Sequence, residues 1–201
     1  MWRLLGIACL ACVCSLAFAA DTRAVRKAYV DGKGWAHILT ADGRDHTIRP
    51  EKWQAGGGFQ DLDVAPDGKT VGWLVDQMLT PLEGNTNYAY AVALRLDIWR
   101  DGHVIRKFST PVFPIANWIF MKNGAEVAFH VHPAFGMEQY NCFLFDVQTG
   151  KKLSSWDIFE KSRVIPDWAK PLLVNDMPSQ EDYAYWSESR QDTKASHAQP
   201  K

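Results

Sequence analysis

The sequence has almost no cysteine where an exported domain would use it. Of four Cys, three (Cys9, Cys12 and Cys14) fall within the first twenty residues, and only Cys142 lies beyond. Once the leader is gone, no intramolecular disulfide can form, so the rest of the chain must be held by its own core. There is no excess of charge either: 22 Lys+Arg stand against 23 Asp+Glu. That balance excludes a strongly basic nucleic-acid binder. No Asn-x-Ser/Thr sequon occurs, and no apolar run after residue 20 approaches the 18 or so residues that span a bilayer. Amphipathic helix signals are nearly missing before Asp157. What remains is a composition 47% hydrophobic and 12% aromatic over 201 residues, which is globular and sized for one domain.

The one long apolar run is at the start. Arg3 precedes an uncharged stretch from Leu4 to Ala20 that ends in Ala17-Phe18-Ala19. A positive residue, an apolar centre and a small-x-small end make a secretory signal peptide, with cleavage expected after Ala19. At 17 residues the run is also just long enough to be retained as an anchor. Neither Cys12, after Cys9-Leu10-Ala11, nor Cys14, after Ala11-Cys12-Val13, fits a lipidation box. Removing the first 19 of 201 residues leaves 182 with one Cys. Export without disulfides points to a bacterial periplasm or secretion, with no stable membrane span after cleavage.

Beyond the leader, short β-rich runs alternate with Gly-containing turns. Strands are expected over Val25–Val30, Trp35–Thr40, Phe59–Val64, Thr70–Asp76, Ala91–Trp99, Val104–Phe108, Ala116–Met121, Glu126–His132, Tyr140–Val147 and Leu153–Trp156. Asp42-Gly43, Asp67-Gly68, Asp101-Gly102, Asn123-Gly124 and Thr149-Gly150 supply the positive φ that tight hairpins need. The pattern repeats. Phe59 to Phe108 and Ile115 to Trp156 each read as four strands with tight first and third turns and a longer middle loop. The stretch Trp35 to Arg44 matches the back half of such a unit. Four-stranded units at this period predict an all-β chain of antiparallel blade-like repeats, partly propeller-like.

Leu62-Asp63-Val64-Ala65-Pro66-Asp67-Gly68-Lys69-Thr70-Val71-Gly72-Trp73 resembles the "S-P-D-G-K-x-I-A-F" hairpin of TolB-like and WD-type β-propeller repeats. Asp146-Val147-Gln148-Thr149-Gly150-Lys151 resembles the turn between the last two strands of such blades. The likeness covers about 100 residues in two units. It implies blade-type sheets and a scaffold or adaptor role. Two full units and part of a third are fewer than the four blades a closed propeller needs. The chain therefore either stays open or completes a ring with a second copy, and homo-oligomerisation is one expectation.

In an up-down blade the tight turns share one end, and the other connections share the opposite end. The long connections are Arg49–Gly58, Gln77–Tyr90, Ser109–Phe113 and Pro133–Gln139. They carry Trp53, Tyr88, Tyr90, Phe113, Phe135 and Met137, so one end of the domain is rich in apolar and aromatic side chains. Such loops on a rigid scaffold predict a surface that contacts an envelope protein; the alternative is that they fold back and cap the core. After Asp157 a short helix is expected over Asp157–Ser162. Pro166, Pro171 and Pro178 then break structure, and 175–201 reads as a disordered polar tail, which leaves 20–174 as the folded domain.

Catalytic signals are sparse. His130 and His132 are two apart on a strand and so share a face; with Glu126 on that face or Glu138 beyond, they are the candidate metal ligands. The competing reading is an ordinary polar strand face. Asp61, Asp63 and Asp67 lack calcium-loop spacing. Gly68-Lys69-Thr70 lacks the earlier Gly of a phosphate-binding loop. No Gly-x-Ser-x-Gly elbow occurs, and Cys142 reads as a buried inert thiol. No cofactor is expected, and the chain reads as a non-enzymatic binding domain. A metal-dependent protein or hydrolase is one alternative. The other is a glycan-binding module using Trp53, Trp168 or Trp186, since the other Trp beyond the leader fall at strands.

Overall fold

The computed structural model describes residues 21–51, 58–79, 90–110, 113–132, 141–157 and 164–173. They form an all-β molecule of three antiparallel sheets, none closed into a barrel. The first sheet orders β1 (Val25–Val30), β2 (Ala36–Thr40) and β3 (Asp45–Ile48) consecutively. The second is a meander of β4 (Phe59–Val64), β5 (Val71–Leu79), β6 (Tyr90–Arg100) and β7 (His103–Ser109). The third is a meander of β8 (Ile115–Met121), β9 (Glu126–Val131), β10 (Asn141–Asp146) and β11 (Lys152–Asp157). The two four-stranded units thus coincide with the two sequence repeats.

The sheets pack face to face. Because successive side chains alternate across a strand, β5 turns Val71, Trp73 and Val75 toward the first sheet, where they join Ala36, Ile38, Phe59 and Trp99. It turns Leu74 the other way, to meet Ile115, Trp118, Val127, Phe129 and Val131 of the third sheet. A strand buried on both faces reads as a nearly continuous apolar run, which is what Val71–Val75 shows. At Gly72 the sheets come closest: a Cβ there would lie 2.6 Å from the Trp118 ring. The outer face of the third sheet (Ala128, Cys142, Leu144 and Trp156) is covered by Ala169, Leu172 and Leu173, with Ile165 and Trp168 alongside.

Two expectations change. β3 is a strand the sequence reading lacked, since Asp45-His46-Thr47 is too polar to signal one; its partner is β2, through register pairs from Ala36 and Ile48 to Leu39 and Asp45. The connection placed at Gln77–Tyr90 is shorter, because β5 continues to Leu79 opposite Tyr90 past an irregularity at Val75/Asp76. The short helix expected over Asp157–Ser162 falls outside the described residues except for Asp157 itself. That residue closes β11, opposite Asn141, and residues 158–163 lie outside the described set. Two 3-10 turns are described, Lys122–Gly124 between β8 and β9 and Lys170–Leu172 two residues after Trp168. The first twenty residues and the proposed tail also lie outside it.

Candidate functional site

The meander order decides which connections share an end. The tight turns after β4, β6, β8 and β10 lie at one end of the second and third sheets. The start of β4, the end of β5, the start of β6, the end of β7, the start of β8, the end of β9 and the start of β10 lie at the other. The tight turns therefore share one end, while most of the long connections lie outside the described residues. Of the residues assigned to the long-loop end, Trp53, Tyr88, Phe135 and Met137 lie outside the described set. Tyr90 opens β6 with its backbone paired to Leu79. Phe113 is half-buried and packs in part against the core between the second and third sheets. Thr110 fixes that connection by donating its hydroxyl to the carbonyls of Leu94 and Phe113. His132 N–H donates to Pro114 O at 2.9 Å.

The histidine pair does not form a metal centre with Glu126. His130 is fully buried on the face shared with Ala128 and with its cross-strand neighbour Cys142. His132 is exposed beyond the end of β9, with its ring centroid 6.4 Å from that of His130 and nearly perpendicular to it. Glu126 lies four residues back and holds Lys122 Nζ at 2.7 Å. Among the described residues no three metal-ligating side chains converge; Glu138 lies outside them. The face of β9 expected to be polar is in fact buried, as every residue of the strand is. Burial pushes the Cys142 thiol up to about 12, so it is protonated and unreactive at neutral pH.

Two polar constellations appear that the sequence reading did not assemble. The first is at the tight-turn end. Asp67 Oδ1 accepts from the Lys69 and Thr70 N–H groups at 2.8 and 2.9 Å, and its Oδ2 accepts from Thr70 Oγ1 at 2.6 Å. Arg100 donates to Thr70 Oγ1 at 2.8 Å and crosses to Gly124 O of the third sheet at 3.1 Å. Arg106 likewise reaches Gln148 O. A cleft of about 420 Å³ opens here, lined by Asp67, Lys69, Arg100, Asn123, Asp146 and Gln148. Its carboxylates are committed: Asp146 Oδ1 accepts from Thr149 N–H and Oγ1, which holds it below the usual carboxylate range. These acids cap turns, and the two arginines tie one sheet to the next.

The second is the outer face of the first sheet. Alternation places Lys27, Tyr29 and Asp31 of the first hairpin, Trp35, His37 and Leu39 of the second strand, and Asp45, Thr47 and Arg49 of the third on this side. His37 is at the centre, stacked on Tyr29 at 5.0 Å. Its Nδ1 lies 3.2 Å from Asp45 and its Nε2 3.4 Å from Asp31. Hydrogen bonding to Asp45, opposed by burial and aided by Asp31, raises its pKa. Lys27 covers the Tyr29 ring, and Lys33 and Arg49 cover Trp35. The rings that a sugar would need are occupied by cations. Trp168 is partly buried against the third sheet's apolar cluster, while Trp53 and Trp186 lie outside the described set.

One titratable pair is well buried. Asp97 is 3% exposed and takes Arg95 Nε and Nη2 at 2.7 and 3.0 Å, and Glu51 bridges Arg95 to Lys107. Burial raises the Asp97 pKa against the pull of Arg95. The pair lies on the face of β6 that Trp99 turns to the first sheet, and the Asp97 carboxylate answers a fixed guanidinium there. Comparison with known proteins finds no family model that matches this chain and no curated protein similar to it.

Proposed function

We propose that this chain is an exported, non-enzymatic β scaffold that contacts an envelope protein through the end of its sheets bearing the long connections. The observation that carries the reading is the connection pattern. Both meanders spend their short turns at one end, where acids and arginines are used up in holding turns and sheets together. The strand ends that the longer segments join lie at the other. Rigid sheets with variable-length loops at one end are a common way to build a recognition surface. The resemblance of the Asp67-Gly68 and Thr149-Gly150 hairpins to TolB-like and WD-type repeats supports an adaptor role, and the leader supports export.

The test is a crosslinking pull-down of the tagged chain from its native envelope, beside a variant carrying Trp53→Ala, Tyr88→Ala and Phe135→Ala. Capture of one envelope protein by the parent and its loss by the folded variant is the expected result. Capture of the same protein by both, or of none by either, sinks the reading.

A further inference from the structure

We propose that segment 164–173 is an intramolecular cap, and that its release lets two copies of this chain pair through the outer face of the third sheet. This surface lies on a sheet face, apart from the long-loop end.

The repeat itself says what kind of face this is. Aligning the two tight turns on Gly68 and Gly124 sets Ala128 in the place of Gly72 and His130 in the place of Leu74. Gly72 and Leu74 are the residues by which the second sheet receives the third. The third sheet therefore carries, on its outer side, the face that elsewhere in the molecule receives another sheet. Ala128, Cys142, Leu144 and Trp156 make it largely apolar around the buried His130, and it is covered. What covers it is ten residues of chain around one 3-10 turn instead of a sheet.

The cap is held mainly by apolar packing. Among the described residues its backbone hydrogen bonds all stay inside the segment: Ala169 and Lys170 to Pro166, Leu172 to Ala169, and Leu173 to Lys170. Its polar link to the sheet is Asn117 Nδ2 donating to Leu172 O at 3.2 Å. The rest is apolar packing by Ile165, Trp168, Ala169, Leu172 and Leu173. A segment with no ladder to the sheet can leave without disturbing the meander beneath. The contact is also imperfect: Trp156 Nε1 is buried with no hydrogen-bond partner, a cost carried only while the face is covered by groups offering it no acceptor.

The opposite end of the stack names the partner. The outer face of the first sheet carries His37 between Asp31 and Asp45, with Lys27 over the Tyr29 ring and Arg49 over the Trp35 ring. Docking it onto an apolar sheet would bury those charges, so head-to-tail ring closure is disfavoured. The surface on a second copy that matches the apolar face is that same face, and like-to-like pairing gives a closed two-fold dimer.

The full chain and its Leu172→Asp/Leu173→Asp variant are compared by light scattering and by iodoacetamide labelling at Cys142, read on the Cys142 peptide by mass. The parent is expected to be a monomer with Cys142 protected. The variant is expected to double in mass as concentration rises, and at low concentration, where it is monomeric, to label about tenfold faster. A parent already dimeric overturns the proposal. So does a folded variant that labels fast but stays monomeric, one that stays protected and monomeric, or one that forms large aggregates. If the double variant loses its β circular dichroism, Asn117→Ala carries the test. It should label about fivefold faster and show a concentration-dependent dimer; unchanged labelling and mass overturn the proposal.

Discussion

The second and third sheets share one strand order but reverse direction by different chemistry. In the second, Asp67 organises the first turn with three accepted hydrogen bonds, and Asp101-Gly102 makes the last one with φ values of 51° and 89°. In the third, Lys122, Asn123 and Gly124 run through the left-handed region in succession, at 45°, 55° and 81°, and Asp146 caps the longer final turn onto Thr149. The packing differs in the same way. Gly72 makes room for Trp118 between sheets, whereas its counterpart Ala128 meets a short apolar segment. Strand order therefore tolerates different turns, provided that each turn satisfies its own backbone groups. The inter-sheet fit is less forgiving.

The sharpest break of this comparison is Asp67→Ala. It strands the Thr70 hydroxyl and N–H, both belonging to a fully buried residue, and loosens Arg100. Urea unfolding should show a loss of about 2–3 kcal/mol, while Asn123→Ala at the equivalent turn should cost about 1 kcal/mol. Next comes Gly72→Ala, whose Cβ would force the Trp118 ring aside. A loss of about 1–2 kcal/mol is expected, with a change in tryptophan emission, whereas Ala128→Gly should leave that emission unchanged. A smaller effect of opposite sign is expected for Asp101→Gly. It removes a positive-φ cost at an exposed turn and should be neutral or stabilise by up to about 1 kcal/mol.

The smallest effect concerns the first sheet, which neither repeat resembles on its outer side. His37 has its folded pKa raised above 6.5, first by Asp45 and then by Asp31. Its contribution is therefore fully present below that value and is lost as pH rises through the raised one. The urea midpoint should fall between about pH 5.5 and about pH 8.5, and His37→Gln should flatten the fall. An unchanged slope in the variant would place the pH dependence elsewhere.

Much of this architecture could be read directly. β1 and β4 match the expected Val25–Val30 and Phe59–Val64 because alternating burial is bounded by turn residues on both sides. The two units were visible because Asp-Gly and Asn-Gly mark positive φ without reference to anything distant. β3 was not visible, since Asp45 and Thr47 face outward and its order comes from pairing with β2. The His37 cluster was hidden for a related reason. Tyr29, His37 and Thr47 lie eight and ten residues apart in the chain, and only the register of β1, β2 and β3 sets them side by side. His130 and His132 misled in the other direction. Two-residue spacing placed them on one side of the strand, yet β9 ends between them, one enclosed and one in solvent.

The sequence by itself determined the all-β class, the repeat and the positions of the tight turns. These depend on φ preferences and on period-two patterning, which act within a few residues. Tertiary structure alone decided that β9 is buried on both faces, that the first sheet presents a charge-paired outer surface, and that residues 164–173 lie over the third sheet. Each of those depends on what a face meets across a gap between sheets, and a face's partner is fixed by packing and burial over the whole chain.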